Sequence, residues 1–241
     1  MIPVELTDAQ IDAMAAVLKD FPGEMLLSAH ARQVLCKMRF DGEVRVHGEP
    51  SAGVMPGTVA HNREPIDTRE FLSCYRTQRL IGPLSALDPV YNRAPALKAL
   101  IIGPRTEMEI FHLLALGFVP ENVTALDLIS SSPLIETGDM HALPYADASF
   151  DVVICGWVLG YSSTPMAATN EIRRVAKPGA LIAVGHTHEP GFRAYGTEIS
   201  GCDFAHVNDL RALFNGAFKE VCFRQSPPPG EKGVVVLIVR V

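Results

Sequence analysis

Little in this 241-residue chain points to a membrane, a nucleic acid or a metal. No apolar run reaches the roughly 18 residues that a membrane-spanning helix needs. The first ten residues carry acids where a secretion signal needs bases. Basic residues are in deficit, with 21 Lys and Arg against 27 Asp and Glu and a net charge of −6. Grip on a phosphate backbone requires clustered Lys and Arg, so nucleic acid is not an expected partner. The five cysteines (Cys36, Cys74, Cys155, Cys202, Cys222) are odd in number and widely spaced, without a CxxC pair or a His/Cys cluster. No zinc site or disulfide framework is expected from them, and a reducing, cytoplasmic compartment is. What the chain does have is apolar content. At 48% hydrophobic and 20% charged residues, it can bury the core of one large α/β domain with a small extension.

The character of the chain changes near residue 90. Before it, Ile11, Met14, Ala15 and Leu18 form a helical stripe opened by Thr7-Asp8 and ended by Pro22-Gly23. Leu27, Ala31, Val34, Leu35 and Met38 form a second stripe. Residues 41–65 hold four glycines and three prolines and read as loop or irregular strands. A third helix is expected over 67–81, broken by Gly82-Pro83. Residues 1–90 thus read as a mainly helical cap, and 91–241 as an α/β domain. In the latter, strands at 99–102, 123–126, 151–154 and 180–184 alternate with helical faces. Ile110, Leu113, Leu114 and Gly117 mark one face; Ala168, Ile172 and Val175 mark another, opened by Pro165 and stopped by Lys177-Pro178-Gly179. A helix over 208–214 and strands over 220–224 and 234–241 would close the sheet with a hairpin. This alternation predicts a doubly wound, mainly parallel sheet.

In such a sheet a ligand lies beyond the carboxyl ends of the strands, where the winding reverses. Gly103 follows the first strand of the block and lets the chain turn beneath a ligand. Asp127 ends the next strand, where a carboxylate can accept hydrogen bonds from vicinal ribose hydroxyls. Gly138-Asp139-Met140 precedes Leu143-Pro144-Tyr145, and Ser149-Phe150-Asp151-Val152-Val153 leads to Gly156-Trp157. Asp139 can accept from an exocyclic amine and Met140 can face a purine, or the pair can form an Asx-turn with a core methionine. Trp157 suits a pocket wall or the core equally.

Taken in order, these segments resemble the landmarks of class I S-adenosylmethionine-dependent methyltransferases over some 100 to 140 residues. The resemblance implies a Rossmann-like, seven-stranded sheet, S-adenosylmethionine as cofactor and a small-molecule acceptor methylated on oxygen, nitrogen or sulfur. It implies cofactor contacts from Gly103, Pro104, Arg105, Glu107, Asp127, Leu128, Gly138, Asp139, Met140, Gly156 and Trp157. It leaves room for a homo-oligomer and calls for no membrane.

One departure stands out. The family's loop reads acid-x-Gly-x-Gly-x-Gly, and those positions here are Ile101, Gly103, Arg105 and Glu107. Carboxylates at Glu107 and Glu109, in the first turn of the following helix, would repel a diphosphate, which argues against a dinucleotide-dependent oxidoreductase. Adenosylmethionine carries no phosphate. Arg105 could pair with its carboxylate and Glu107 with its ammonium, or the two side chains could pair with each other on the surface. The lost glycines also admit a second reading, a methyltransferase-like fold without transfer activity that serves as a regulatory or scaffolding subunit. For catalysis, His186 and His188 after the strand at 180–184 are candidate bases, and Tyr161 a candidate to orient the acceptor. In the cap, the helix expected over 67–81, with Arg69, Tyr75, Arg76 and Arg79, would cover the substrate; Arg76 and Arg79 share one face and could bind an acidic acceptor or form a solvated face.

Overall fold

A strand made only of apolar residues has to be covered on both faces. The run 99–102 is such a strand, every residue of it buried, and it lies at the centre of the sheet. The computed structural model describes residues 5–48, 50–67, 76–191 and 202–241. Among these, the first part of the chain forms α1 (Asp8–Asp20), α2 (Pro22–Met25), α3 (Ala29–Arg39), β1 (Arg45–Val46), α4 (Thr58–Asp67), α5 (Arg76–Ser85) and α6 (Val90–Arg93). There follow β2 (Ala99–Ile102), α7 (Met108–Ala115), β3 (Val123–Asp127), β4 (Ile129–Ser130), β5 (Glu136–Thr137) and β6 (Phe150–Gly156). The chain ends with α8 (Pro165–Val175), β7 (Ala176–His188), α9 (Val207–Leu213), β8 (Glu220–Gln225) and β9 (Gly233–Arg240).

The seven-stranded sheet has the order β5-β3-β2-β6-β7-β9-β8. β5, β3, β2, β6 and β7 run parallel, and β9 is antiparallel to both β7 and β8. The order reverses between β2 and β6, where Ile102 stands beside Cys155. This is the Rossmann-like fold expected from the sequence. On one face of the sheet, α8 and α9 bury Ala168, Ile172, Val175, Leu210 and Leu213 against Leu100, Ile102, Val153 and Val184. On the other, α5, α6 and α7 bury Leu80, Ile81, Leu84, Val90, Ile110 and Leu113 against Ala99, Ile101, Val152 and Ile154. The division at residue 90 therefore runs through a layer of the α/β core, because α5 and α6 belong to it.

α7 is buried almost all round, which is how a helix behaves when both of its sides are packed. Ile110 and Leu113 face the sheet, while Met108 and Phe111 meet Cys36 of α3, Ile66 of α4 and Ile129 of β4. The N-terminal region wraps α7 from outside, and β1 joins β4 in a small antiparallel pair.

Several sequence expectations change in this region. Thr7 caps α1 as expected, accepting from the amide of Gln10. Its stripe buries nothing, however: Ile11 is 50% and Met14 54% exposed. The stripe drawn on α3 is misaligned, since Ala29, Arg32 and Cys36 face inward while Val34 and Met38 are exposed. Arg32 is tolerated inside because its Nη1 donates to the carbonyls of Leu26 and Leu27 at 2.5 and 3.2 Å. Residues 41–65 contain most of α4, a helix the Pro and Gly content concealed. α5 runs through Gly82-Pro83, held by the buried Leu80, Ile81 and Leu84; the carbonyl that Pro83 leaves without a donor belongs to the exposed Arg79. The rest of the helix expected over 67–81 lies outside the described residues, as do Arg69, Tyr75 and the side chain of Arg76. Lys177-Pro178-Gly179 lies within β7, because α8 has already ended at Val175.

Leu113 is fully buried between α7 and the sheet. Leu113→Ala should cost about 2–5 kcal/mol, read as a lowered denaturant midpoint with an unchanged slope.

Candidate active site

The switch point between β2 and β6 opens into a pocket. Its floor comes from the strand ends: Ile102, Gly103 and Pro104 after β2, Asp127 and Leu128 after β3, Gly138 and Met140 after β5, and Gly156 and Trp157 at the end of β6. Gly103 has φ +76°, and a Cβ there would fall 1.9 Å from Cγ1 of Val158, so no other residue fits. Its amide donates to the carbonyl of Leu126 at 2.8 Å.

The loop keeps the conformation of a glycine after losing the glycine. Arg105 has φ +56°, in the left-handed region that side chains disfavour. Its amide donates to Oδ2 of Asp127 at 2.8 Å, and its carbonyl accepts from the hydroxyl of Ser131 at 2.8 Å. Its guanidinium donates to Oδ1 of Asn62 on α4, across the pocket. Asp127 also accepts from the amide of Ile129 at 3.2 Å. Burial pushes the Asp127 carboxyl up, against these two amides, which pull it down.

Glu107 is not in the pocket. It stands at the N-cap of α7, 4% exposed, and its carboxylate takes a fork from Arg39 at 2.7 and 3.1 Å and the Ser132 hydroxyl at 2.5 Å. Neither the ammonium role nor a pairing with Arg105 agrees with that placement. The helix acid that lines the pocket is Glu109, two residues on, 7% exposed, with Oε1 3.6 Å from the point a Cβ on Gly156 would occupy.

Asp139 also points elsewhere. It accepts from the amide of Ser51 at 2.7 Å and from the amide and Nδ1 of His141 at 2.9 and 2.6 Å. Nε2 of His141 in turn meets the Ser162 hydroxyl at 2.7 Å. Ser162 is fully buried, so this relay does not attack a substrate. It clamps the segment 51–55 over the pocket, helped by a bridge between Val54 and Ser162 and by the amide of Met55 on the carbonyl of Tyr161 at 3.0 Å. Gly53 is needed here, since a Cβ would lie 2.6 Å from the His141 ring. Burial works to raise the Asp139 carboxyl, but the His141 and Ser51 hydrogen bonds outweigh it and hold it at about 2.

Trp157 serves in both ways the sequence left open. Its ring packs on Gly185 and its Nε1 donates to Thr187 at 2.7 Å, yet it also lines the pocket. Side chains alternate along β7, so His186 and His188 face away from Thr187. They bond Asp203 at 3.0 and 2.7 Å and do not line the pocket. Tyr161 does line it, with the ring of His61 5.8 Å away. Val54, Thr58, Val59 and Asn62, which sequence reasoning missed, complete the wall. They carry no motif; only the fold of α4 over the pocket brings them there.

The comparisons with known proteins bear on the family and the fold. Residues 105–184 match the family described as a methyltransferase domain. Over those residues the chain is similar to a methyltransferase domain, and its sheet has the class I fold. Over 100 residues it is 32% identical to a probable methyltransferase of Aspergillus luteorubrus, covering 40% of this chain and 31% of that protein. Over 106 residues it is 31% identical to a human thiol S-methyltransferase, covering 38% of this chain and 41% of the relative. The chain thus spans less than half the length of these relatives. A solved methyltransferase in complex with the Haloferax volcanii Trm112 methyltransferase activator has a TM-score of 0.54 at 16% identity, covering 78% of this chain and 96% of that one. That likeness is one of fold. No described helix is long and apolar enough to cross a membrane, and no group of three metal-ligating side chains forms among the described residues.

Two predictions follow from the loop and the clamp. Arg105→Gly should be more stable than Arg105→Ala by about 1 kcal/mol in chemical unfolding, since both lose the Asn62 bond but only glycine relieves the left-handed strain. For Asp139, a carboxyl lowered from an ordinary 3.8 to about 2 stabilises the fold above pH 4, and this is lost as the pH falls through 2. The stability difference between the chain and Asp139→Asn should shrink by roughly 2 kcal/mol from pH 5 to pH 2. A constant difference would contradict the hydrogen-bond assignment.

Proposed function

We propose that the chain is an S-adenosylmethionine-dependent methyltransferase acting on a small-molecule acceptor in the cytoplasm. The observation that carries this reading is the pocket at the switch point with the Asp127 carboxylate at its edge. Asp127 Oδ2 accepts from the amide of Arg105 and Oδ1 from that of Ile129, and a carboxylate with about four lone-pair sites can take further donors, which fits a pair of vicinal hydroxyls. Leu128 and Met140 offer an apolar face to a purine, Gly103 and Gly156 let the backbone approach, and Arg105 suits a carboxylate.

When bound, the cofactor supplies a methyl group on a sulfonium for in-line displacement. The chain's own part is alignment and exclusion of water. Val54, Val59 and Val158 shield the pocket, and α4 covers it. Tyr161, on the pocket wall, is the residue assigned to orient the acceptor; His186 and His188 bond Asp203 and do not line the pocket. A thiol, the acceptor class named for the human relative, would need no base once ionised.

The reading without transfer activity has one feature in its favour: Arg105 bonds Asn62 across the pocket. Turnover decides between them. Adenosylhomocysteine at 100 times its Kd should stabilise the chain by about 2.7 kcal/mol, seen as a raised Tm. Asp127→Asn should weaken its binding at least tenfold in calorimetric titration, as loss of a charged hydrogen bond of about 1.5–3 kcal/mol predicts. Methyl transfer to a panel of thiols, phenols and amines supports the enzyme; binding without transfer to any of them supports the second reading.

A further inference from the structure

Two helical seams of the N-terminal region find no cover among the described residues. Along α1, Ile11, Met14, Leu18 and Phe21 follow at intervals of three, four and three residues, the spacing that sets one helix against another. Along α3, Leu27, Ala31, Val34 and Met38 follow at four, three and four, with Leu27 just ahead of the N-cap. Both seams lie largely in solvent: Phe21 is 63% and Met38 79% exposed, and α1 buries no residue at all. The fold uses the opposite face of α3, where Ala29, Arg32 and Cys36 turn inward. Nine exposed large apolar side chains fall between Leu6 and Met38 and only four in the rest of the described chain, so this region holds the main apolar surface. A 13-residue helix is marginal in water even with its capping box, so α1 needs a cover.

The charges beside the seams select the occupant. α1 carries Asp8, Asp12 and Asp20 against one base, Lys19, whereas α3 carries Lys37 and Arg39 and no acid. Setting α1 against α1 would gather like charge; setting α1 against α3 places acid beside base and joins two seams of matching period. Within one protomer the two seams do not meet, since both remain exposed. We infer that the chain pairs with a second copy by reciprocal contact, α1 of each protomer lying on the outer face of α3 of the other. A twofold axis makes this contact twice and closes the assembly. The doubling matters, because a stable dimer buries roughly 800 Å² per partner, more than one helix about 20 Å long supplies. The acids of α1 disfavour an anionic membrane in the same place.

Sedimentation equilibrium of the full chain over a concentration series tests this, and the unaltered chain should be a dimer. Met14→Lys puts a base on α1 and Val34→Glu an acid on α3, each matching in sign the helix it faces. Each should weaken association by at least about tenfold. Both positions are exposed, so the helix content seen by circular dichroism should not change. An equal mixture of the two variants should associate within about threefold of the unaltered chain, since one of its two contacts is unaltered and the other sets the introduced base against the introduced acid. Should either variant lose helix content, Phe21→Lys and Met38→Glu on the same seams form a second pair with the same expected results. A chain that stays monomeric at every concentration overturns the inference, as does a dimer that neither substitution weakens. Weakening by the α1 substitution alone points to α1 against α1 and overturns it too, and so does a mixture no tighter than either variant by itself. A monomer that binds vesicles of neutral or anionic phospholipid gives the seams to a membrane and removes the second copy.

Discussion

The amide of Arg105 donates to the carboxylate of Asp127 across the tops of β2 and β3, at 2.8 Å. That single bond ties the turn after one strand to the tip of the next and keeps Arg105 in a glycine's conformation. The hydroxyl of Ser131 holds the same residue by its carbonyl. Without these anchors a side-chain-bearing residue would leave the left-handed region, and the turn would no longer lie flat over the sheet. Every other feature of the pocket is arranged around this turn: Gly103 beneath Val158, Asp127 at the rim, and Glu109 on the helix that the turn launches.

The second organising element is the cover. Segment 51–55 and α4 arrive from the N-terminal region and are fastened by the Asp139–His141–Ser162 relay and by the bond from Arg105 to Asn62. Asp139 therefore contributes through the lid. The same packing that holds α4 in place, Ile66 and Met108 against Phe111, supports α7 from outside, so cover and floor share one apolar cluster.

Legibility in the sequence followed the kind of signal. The strand at 99–102 was readable to the residue, because a strand covered on both faces is uniformly apolar. Asp127 and Gly156 were readable as pocket residues because pockets in a parallel sheet open at the strand ends. α4 was not, since it has a polar pocket on one side and places Thr58, Asn62 and a proline where periodicity is sought. α1 misled in the other direction: its helical stripe is real, but nothing among the described residues covers it. Glu107 and Glu109 are both acids near the start of one helix, and spacing alone could not say which lines the pocket.

The amino-acid sequence by itself determined the order of the main strands and helices of the α/β block, the reversal of winding and the strand tips, because local periodicity and turn chemistry act over a few residues. Tertiary structure decided which polar side chains share the pocket. His186 and His188 turned away with the alternation of β7, Glu107 was claimed by Arg39 from 68 residues earlier, and Asn62 was brought to Arg105 by α4. Those choices rest on hydrogen bonds and packing between distant segments, and no local pattern records them.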